Sequence, residues 1–291
     1  INPSDLMFIR GLYGFKKTLP VTPGFEASGM VVATGGGIAA RALLGRRVAY
    51  VVRGKGDGPW AQYVRATPTE CVPLRSHVTD EQGSMIMINP LTAYAMVDAA
   101  QKEGHKALVQ NAAAGALGRM MLRIAQRANL PMIHIVRRPA QVEQLRQMGA
   151  EHVLNSSNEE YPAALREACR ALGATMALDA VGGEETQLLC HAMERGSTVV
   201  VYGGLALEPA RIDVGELVFR SQTVRGFWLT NWIRDANVVD LVRAGNHVQM
   251  NISELFDAHV QQRYELGDFA EALEAYASSM SQGKVLFAPN G

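Results

Sequence analysis

The stretch Val109-Gln110-Asn111-Ala112-Ala113-Ala114-Gly115-Ala116-Leu117-Gly118 decides how the middle of this chain folds. A short apolar run, Lys106-Ala107-Leu108-Val109-Gln110, leads into it. After it come Met120, Met121, Ile124 and Ala125, an apolar stripe at helical spacing, with Arg119, Arg123 and Arg127 on other faces. Strand, Gly/Ala turn and helix in that order match the dinucleotide-binding fingerprint, with Ala113 in the first glycine slot, then Gly115 and Gly118. Gly115 lets the backbone approach a pyrophosphate, and Gly118 lets the helix pack close to the sheet. The helix start, Ala116 and Leu117 included, offers unpaired N–H groups to the phosphate. A merely structural Gly-rich turn is the competing reading; position between a strand and a helix argues against it.

Further along, Met132-Ile133-His134-Ile135-Val136 reads as the next strand and Gln141 to Met148 as the next helix, ended by Gly149. His152-Val153-Leu154, Met176-Ala177-Leu178-Asp179 and Thr198-Val199-Val200-Val201-Tyr202 continue the alternation. Near-continuous apolar strands alternating with helices predict a doubly wound parallel α/β sheet. About 20 residues after the turn, the second strand of such a site normally ends on an acid that holds the ribose hydroxyls. Here it ends Val136-Arg137-Arg138-Pro139, with no carboxylate. Two guanidiniums suit a 2′-phosphate, so NADPH is the expected cofactor; a solvated basic loop is the alternative.

Before the turn, residues 1 to about 85 read as short strands punctuated by Gly and Pro. Gly29 to Ala33, Arg47 to Val52 and Ala61 to Val64 are examples of a β-rich domain. After about residue 235 the pattern is helical (Val238 to Ala244, Asp268 to Ser279) and closes on the strand Lys284-Val285-Leu286-Phe287. The expected division is 1–86 with 236–291 against 87–235. The 291 residues carry 28 basic and 28 acidic side chains, which argues against a general nucleic-acid or anionic-membrane binder. No run of ~18 apolar residues predicts a membrane span, and no signal peptide opens the chain. Cys71, Cys169 and Cys190 give no disulfide framework or metal knuckle, consistent with thiols in a reducing cytoplasm.

The chain resembles the medium-chain dehydrogenase/reductase superfamily. Within it, the chain looks like the 2-enoyl thioester reductases and, more distantly, the zeta-crystallin-like quinone oxidoreductases. The matching strings are Ile1-Asn2-Pro3-Ser4-Asp5, Gly11-Leu12-Tyr13-Gly14, Asn89-Pro90-Leu91-Thr92-Ala93-Tyr94, Val181-Gly182-Gly183 and Tyr202-Gly203-Gly204. The most specific is Arg225-Gly226-Phe227-Trp228-Leu229-Thr230-Asn231-Trp232. The resemblance implies a Rossmann domain joined to a GroES-like catalytic domain. The family pattern begins several strands before Ile1, so a missing strand would leave an exposed sheet edge.

Zinc members of the superfamily carry a Cys near the first motif and a Gly-His-Glu further on. Here Pro3-Ser4-Asp5 has no thiol, and Gly24-Phe25-Glu26 puts Phe in the imidazole position. The seven histidines show no HxxH or HExxH spacing, so no metal is expected. Hydride transfer without a Lewis acid needs a positioned donor for the charge that forms on a substrate carbonyl. The resemblance implies Tyr13 for that role; a packing tyrosine is the competing reading. It also implies that Asn89 and Thr92 lie beside the nicotinamide, although Asn-Pro could simply break the chain at the domain junction. By the same resemblance Tyr202, Gly203 and Gly204 line the cofactor at the sheet edge. Phe227, Trp228 and Leu229 would wall the nicotinamide pocket, or else be plain core or dimer interface, and Lys284 would reach the cofactor. Trp60 has a family counterpart without an assignable role. Arg137 and Arg138 are adjacent where the family usually has an acid between its two arginines, leaving open which contacts phosphate.

The expected reaction is NADPH-dependent reduction of the activated C=C bond of a 2-enoyl thioester. A quinone or small-enone reductase is the nearest alternative. A non-catalytic NADPH-binding protein is the alternative of another class. Partners are then a small-molecule or acyl-thioester substrate and, by resemblance, a second copy in a homodimer.

Overall fold

The computed structural model describes residues 1–52 and 56–289, which form two compact units: Ile1–Leu91 with Val242–Gly291, and Thr92–Leu241. In the first unit α1 (Pro3–Ile9), β1 (Glu26–Met30), α2 (Ile38–Arg41), β2 (Arg47–Val51), β3 (Cys71–Pro73) and α3 (Asp80–Gly83) precede α4 (Asn89–Lys102). The second unit runs β4 (Leu108–Gln110), α5 (Ala116–Arg127), β5 (Met132–Val136), α6 (Pro139–Gln147), β6 (His152–Asn155), α7 (Tyr161–Leu172), β7 (Met176–Asp179) and α8 (Gly183–Ala192). It continues with β8 (Thr198–Val201), α9 (Val214–Phe219), β9 (Thr223–Gly226) and α10 (Leu229–Asp235). α11 (Val238–Met250), β10 (Val260–Tyr264), α12 (Phe269–Ser279) and β11 (Lys284–Phe287) complete the chain. The division falls inside α4 and α11, so the composition change at Asn89-Pro90 marks a helix start and the units part a few residues later.

In the second unit six parallel strands stand in the order β6-β5-β4-β7-β8-β9. Val109, Ile133, Ile135, Ala177 and Val199 form one sheet face and pack on Tyr161, Leu165 and Cys169 of α7 and on Leu189 and Cys190 of α8. Burial on that scale, at ~25 cal/mol per Å² of apolar surface, is what holds a parallel sheet between helices. The strand order reverses between β4 and β7, which places a ligand crevice outside their carboxyl ends. This is the doubly wound fold expected from the apolar runs. The helix foreseen from Gln141 begins two residues earlier, because Pro139 suits the first helical position.

In the first unit β1-β2-β3 form an antiparallel sheet, and β10 pairs β11 in parallel. The strand foreseen at Gly29 to Ala33 is instead Glu26–Met30, because its ladder runs from Glu26 opposite Val51 to Met30 opposite Arg47. Ala61 to Val64 is not a strand: alternation supplies the faces, but no ladder partner stands beside it among the described residues. Trp60 is structural, its ring 4.9 Å from that of Phe287 beside the cluster of Leu6, Tyr276 and Val285.

Ala112, at the opening of the quoted turn, has φ 48°, in the left-handed region where a Cβ is crowded. Ala112→Gly relieves that strain but gains unfolded-chain entropy, leaving a net stabilisation of roughly 0.5–1 kcal/mol. A thermal scan should show Tm rising by about 1–3 °C; a lowered Tm would contradict the strain argument.

Candidate active site

Because β4, β5, β7, β8 and β9 are parallel, every loop that leaves a carboxyl end opens on the same edge of the second unit. Gly115 to Gly118, Arg137 and Arg138, Tyr202 to Gly204, and Phe227 to Leu229 all follow such ends. The fold therefore gathers them without any further device.

Gly115 is the N-cap of α5, extended at φ −68° and ψ 165°, and no side chain caps the helix. The first-turn N–H groups of Ala116, Leu117 and Gly118 have no partner within the helix. The turn itself is held by Gly115 N–H donating to Ala112 O at 3.0 Å and Ala113 N–H donating to Ile135 O on β5 at 3.2 Å. A Cβ on Gly118 would stand 2.5 Å from Ala113 O, so only glycine lets the helix start lie this close to the turn. Free amides, the positive end of a helix and a bare backbone together can hold a pyrophosphate.

Arg137 and Arg138 leave β5 exposed. The backbone of Arg137 is held on both sides: its carbonyl accepts from Ser157 Oγ at 2.7 Å and its N–H donates to Gln141 Oε1 at 3.3 Å. Arg138 is the extended N-cap of α6. Both guanidiniums are placed to meet an anion beyond the strand end.

Two buried residues lace this edge together and were not singled out from sequence. Asn111 donates through Nδ2 to Asp179 Oδ1 at 2.6 Å and accepts from Ala180 N–H at 2.7 Å. Asp179 also accepts from Val181 N–H at 2.8 Å, Gly182 N–H at 3.0 Å and Thr186 Oγ1 at 2.6 Å. Its carbonyl accepts from Tyr202 N–H at 2.9 Å, so the ends of β4, β7 and β8 are tied at the switch point. The available signal was an Asp closing an otherwise apolar strand, since buried polar side chains need partners.

Phe227 and Trp228 line a cavity of about 480 Å³ in the second unit together with Tyr94, Leu178 and Trp232; Leu229 is not among its lining residues. Asn89 opens α4, and Thr92, 8% exposed, lies in its first turn.

In the first unit, α1 stops at Gly11, φ +71°, where Leu12 N–H reaches back to Met7 O at 2.9 Å. That reversal delivers Tyr13, half-buried, into an aromatic cluster: its ring lies 4.7 Å from Phe25 and 5.1 Å, edge-on, from Phe15. Phe25, in the imidazole position of the zinc motif, is thus packed against the tyrosine. Its neighbour Glu26 accepts from the N–H groups of Met87 and Ile88, both at 3.0 Å, and from Asn2 Nδ2 at 2.8 Å. The backbone leading into Asn89 is therefore held by Glu26, another residue the sequence did not single out.

Lys284, expected to reach the cofactor, has other partners: its ammonium donates to Asn2 Oδ1 and, at 3.2 Å, to Ile1 O. It is buried, and burial lowers its pKa against the opposing pull of Glu26 and Asp5. The parallel pairing of β11 with β10 puts it there, and no local pattern reveals that pairing. Among the described residues no group of three or more His, Cys, Asp or Glu could hold a metal ion. No helix among them is long and apolar enough to cross a membrane.

His134, 2% exposed on β5, has its pKa lowered to about 4 from 6.5, first by burial and then by His152. Between those values the unfolded chain binds a proton that the folded chain refuses, so stability falls as pH drops through this window. At about pH 4.5 the loss from this site is roughly 2–3 kcal/mol relative to pH 7. Denaturant unfolding at both pH values should show a smaller acid loss in His134→Gln than in the wild type; equal losses would count against the assignment.

The family model described as zinc-binding dehydrogenase matches residues 116–244, and the alcohol dehydrogenase GroES-like domain matches residues 1–76. A solved structure from Mesorhizobium loti, provisionally named an NADPH:quinone reductase, is 34% identical with a TM-score of 0.92, covering 99% of this chain and 84% of its own. A second provisionally named NADPH:quinone reductase, from Bacillus thuringiensis, is 26% identical with a TM-score of 0.85, covering 98% and 86%. The mitochondrial enoyl-(acyl-carrier-protein) reductase of Homo sapiens is 29% identical over 94% of this chain and 74% of its own length.

Proposed function

We propose, from the premise that this chain belongs to the medium-chain dehydrogenase/reductase superfamily, that it is an NADPH-dependent reductase of 2-enoyl thioesters working without zinc. The observation that carries the reading is the bare-backbone turn Gly115–Gly118 beside Arg137 and Arg138 on one sheet edge, where a carboxylate would favour NADH. Similarity to human enoyl reductase over most of the chain supports the thioester as substrate. Phe25 packed on Tyr13, with no cluster of metal-ligating side chains among the described residues, supports a zinc-free reaction.

Bound NADPH supplies a hydride to the β-carbon of the enoyl group. Negative charge then accumulates on the thioester oxygen, and the Tyr13 hydroxyl donates its proton in a hydrogen bond to that oxygen. The turn at Gly115–Gly118 holds the pyrophosphate, the two arginines the 2′-phosphate, and Tyr202, Gly203, Gly204, Phe227 and Trp228 enclose the cofactor edge. Asn89 and Thr92 orient the nicotinamide, with Glu26 fixing the backbone before them. We leave Lys284 out of this set: its bonds fasten β11 to the turn at Asn2. The exposed edge strand β9 suits pairing with a second copy, so a dimer is expected in sedimentation analysis.

Quinone or small-enone reduction is the second reading, favoured by the 34% identity to the Mesorhizobium loti protein. NADPH oxidation with crotonyl-CoA against 1,4-naphthoquinone separates the two. The thioester is expected to be the better substrate; turnover of the quinone alone selects the second reading, and turnover of neither defeats both.

A further inference from the structure

Beneath the phosphate turn, on the sheet face towards α5, lie two polar side chains that an apolar parallel sheet would not be expected to hold. Gln110 closes β4 at 0% exposure, and His134 stands opposite it on β5. Gln110 Nε2 donates to the carbonyl of Gly118, in the first turn of α5, at 3.0 Å. A carbonyl can only accept, so this contact fixes which end of the amide faces the helix. The same nitrogen is 2.7 Å from His134 Nδ1, which must therefore accept, leaving the ring proton on Nε2. Gln110 Oε1 is buried with no hydrogen-bond partner. An amide kept in place at the expense of its own acceptor is one whose two donor bonds matter.

The geometry matters because Gln110 and Gly118 bracket the turn. The bond spans eight residues and closes the loop Asn111 to Leu117 at its base, while His134 stands three residues before Arg137. We propose that Gln110 and His134 are positioning residues for the dinucleotide, a buried amide–imidazole pair that closes the phosphate turn from beneath without touching the cofactor. The proposal rests on the reading of Gly115–Gly118 as the pyrophosphate site. It adds a specific consequence: the pair acts on what all adenine dinucleotides share, and Arg137 and Arg138 act on what separates NADPH from NADH.

The test is titration of NADP⁺ and NAD⁺ into Gln110→Leu, His134→Leu and His134→Gln, beside Val109→Ala. Val109 lies on the same strand but faces α7 and α8, so its variant reproduces a loss of stability without disturbing the turn. Gln110→Leu and His134→Leu are expected to raise Kd about tenfold for both dinucleotides, the equivalent of one net hydrogen bond. The NADP⁺ to NAD⁺ ratio and kcat at saturating cofactor should stay within about twofold of the wild type, one hydrogen bond in the ground state being all that is lost. His134→Gln, whose amide oxygen can accept from Gln110 Nε2, should restore most of the affinity; this arm holds even if Gln110→Leu does not fold. Affinity in both leucine variants equal to that of Val109→Ala at matched Tm overturns the proposal. So does a selective loss of NADP⁺, or a fall in kcat in place of affinity. A wild type that binds neither dinucleotide overturns the reading of the turn and the proposal with it, a result distinct from unchanged affinity in the variants.

Discussion

Tyr13→Phe is expected to lower kcat on crotonyl-CoA by about 10²- to 10³-fold while leaving the Kd for NADPH within about twofold. The substitution is unusually clean because the ring is held by its faces and edges: Phe25 at 4.7 Å and Phe15 at 5.1 Å pack the aromatic carbons and leave the hydroxyl to do chemistry. Phenylalanine keeps those contacts and removes one donor, so a fall in rate reports the proton and not the packing. A positioned general acid contributes roughly 10²–10⁴ in rate. Loss of kcat without loss of cofactor affinity is the signature of an interaction made only in the transition state. Stopped-flow or steady-state NADPH oxidation measures it directly. An unchanged rate would return Tyr13 to the packing role and would favour either the quinone reaction or a non-catalytic NADPH-binding protein.

The second unit was largely legible in the sequence because its signals are local. Met132 to Val136 and Met176 to Asp179 are strands with the bounds that their apolar runs suggest, since both faces of a parallel sheet are covered. The first unit was harder because its signals are non-local. Ala61 to Val64 alternates correctly but lacks a ladder neighbour, and Lys284 meets Asn2 across 282 residues of sequence. Within the site, residues that offer backbone or charge to a ligand (Gly115, Gly118, Arg137, Arg138) declare themselves by type. Residues that hold other residues do not. Asn111, Asp179, Glu26, Gln110 and His134 act through partners on other strands, and only the polarity of buried positions hinted at them.

The arginine pair carries the cofactor preference, and its removal should be nearly as severe as the loss of Tyr13. With both guanidiniums gone, Arg137→Ala/Arg138→Ala is expected to raise the Kd for NADPH about a hundredfold or more. Charge-assisted hydrogen bonds to phosphate contribute roughly 1.5–3 kcal/mol each before screening. NADH, lacking the 2′-phosphate, should bind with nearly unchanged affinity, so the preference collapses instead of the site. The two positions are not equivalent. Arg137 has its backbone clamped by Ser157 and Gln141, which pre-organises its side chain, whereas Arg138 is the extended cap of α6. The single variant Arg137→Ala should therefore take the larger share. Both side chains leave an exposed strand end, so the effect should shrink as ionic strength rises and the Debye length falls from about 10 Å at 0.1 M to about 3 Å at 1 M. Fluorescence titration of NADPH and NADH at low and high salt reads all three expectations. Equal weakening of the two cofactors would mean that the arginines serve the adenosine half in general, and the preference for NADPH would have to arise elsewhere on the sheet edge.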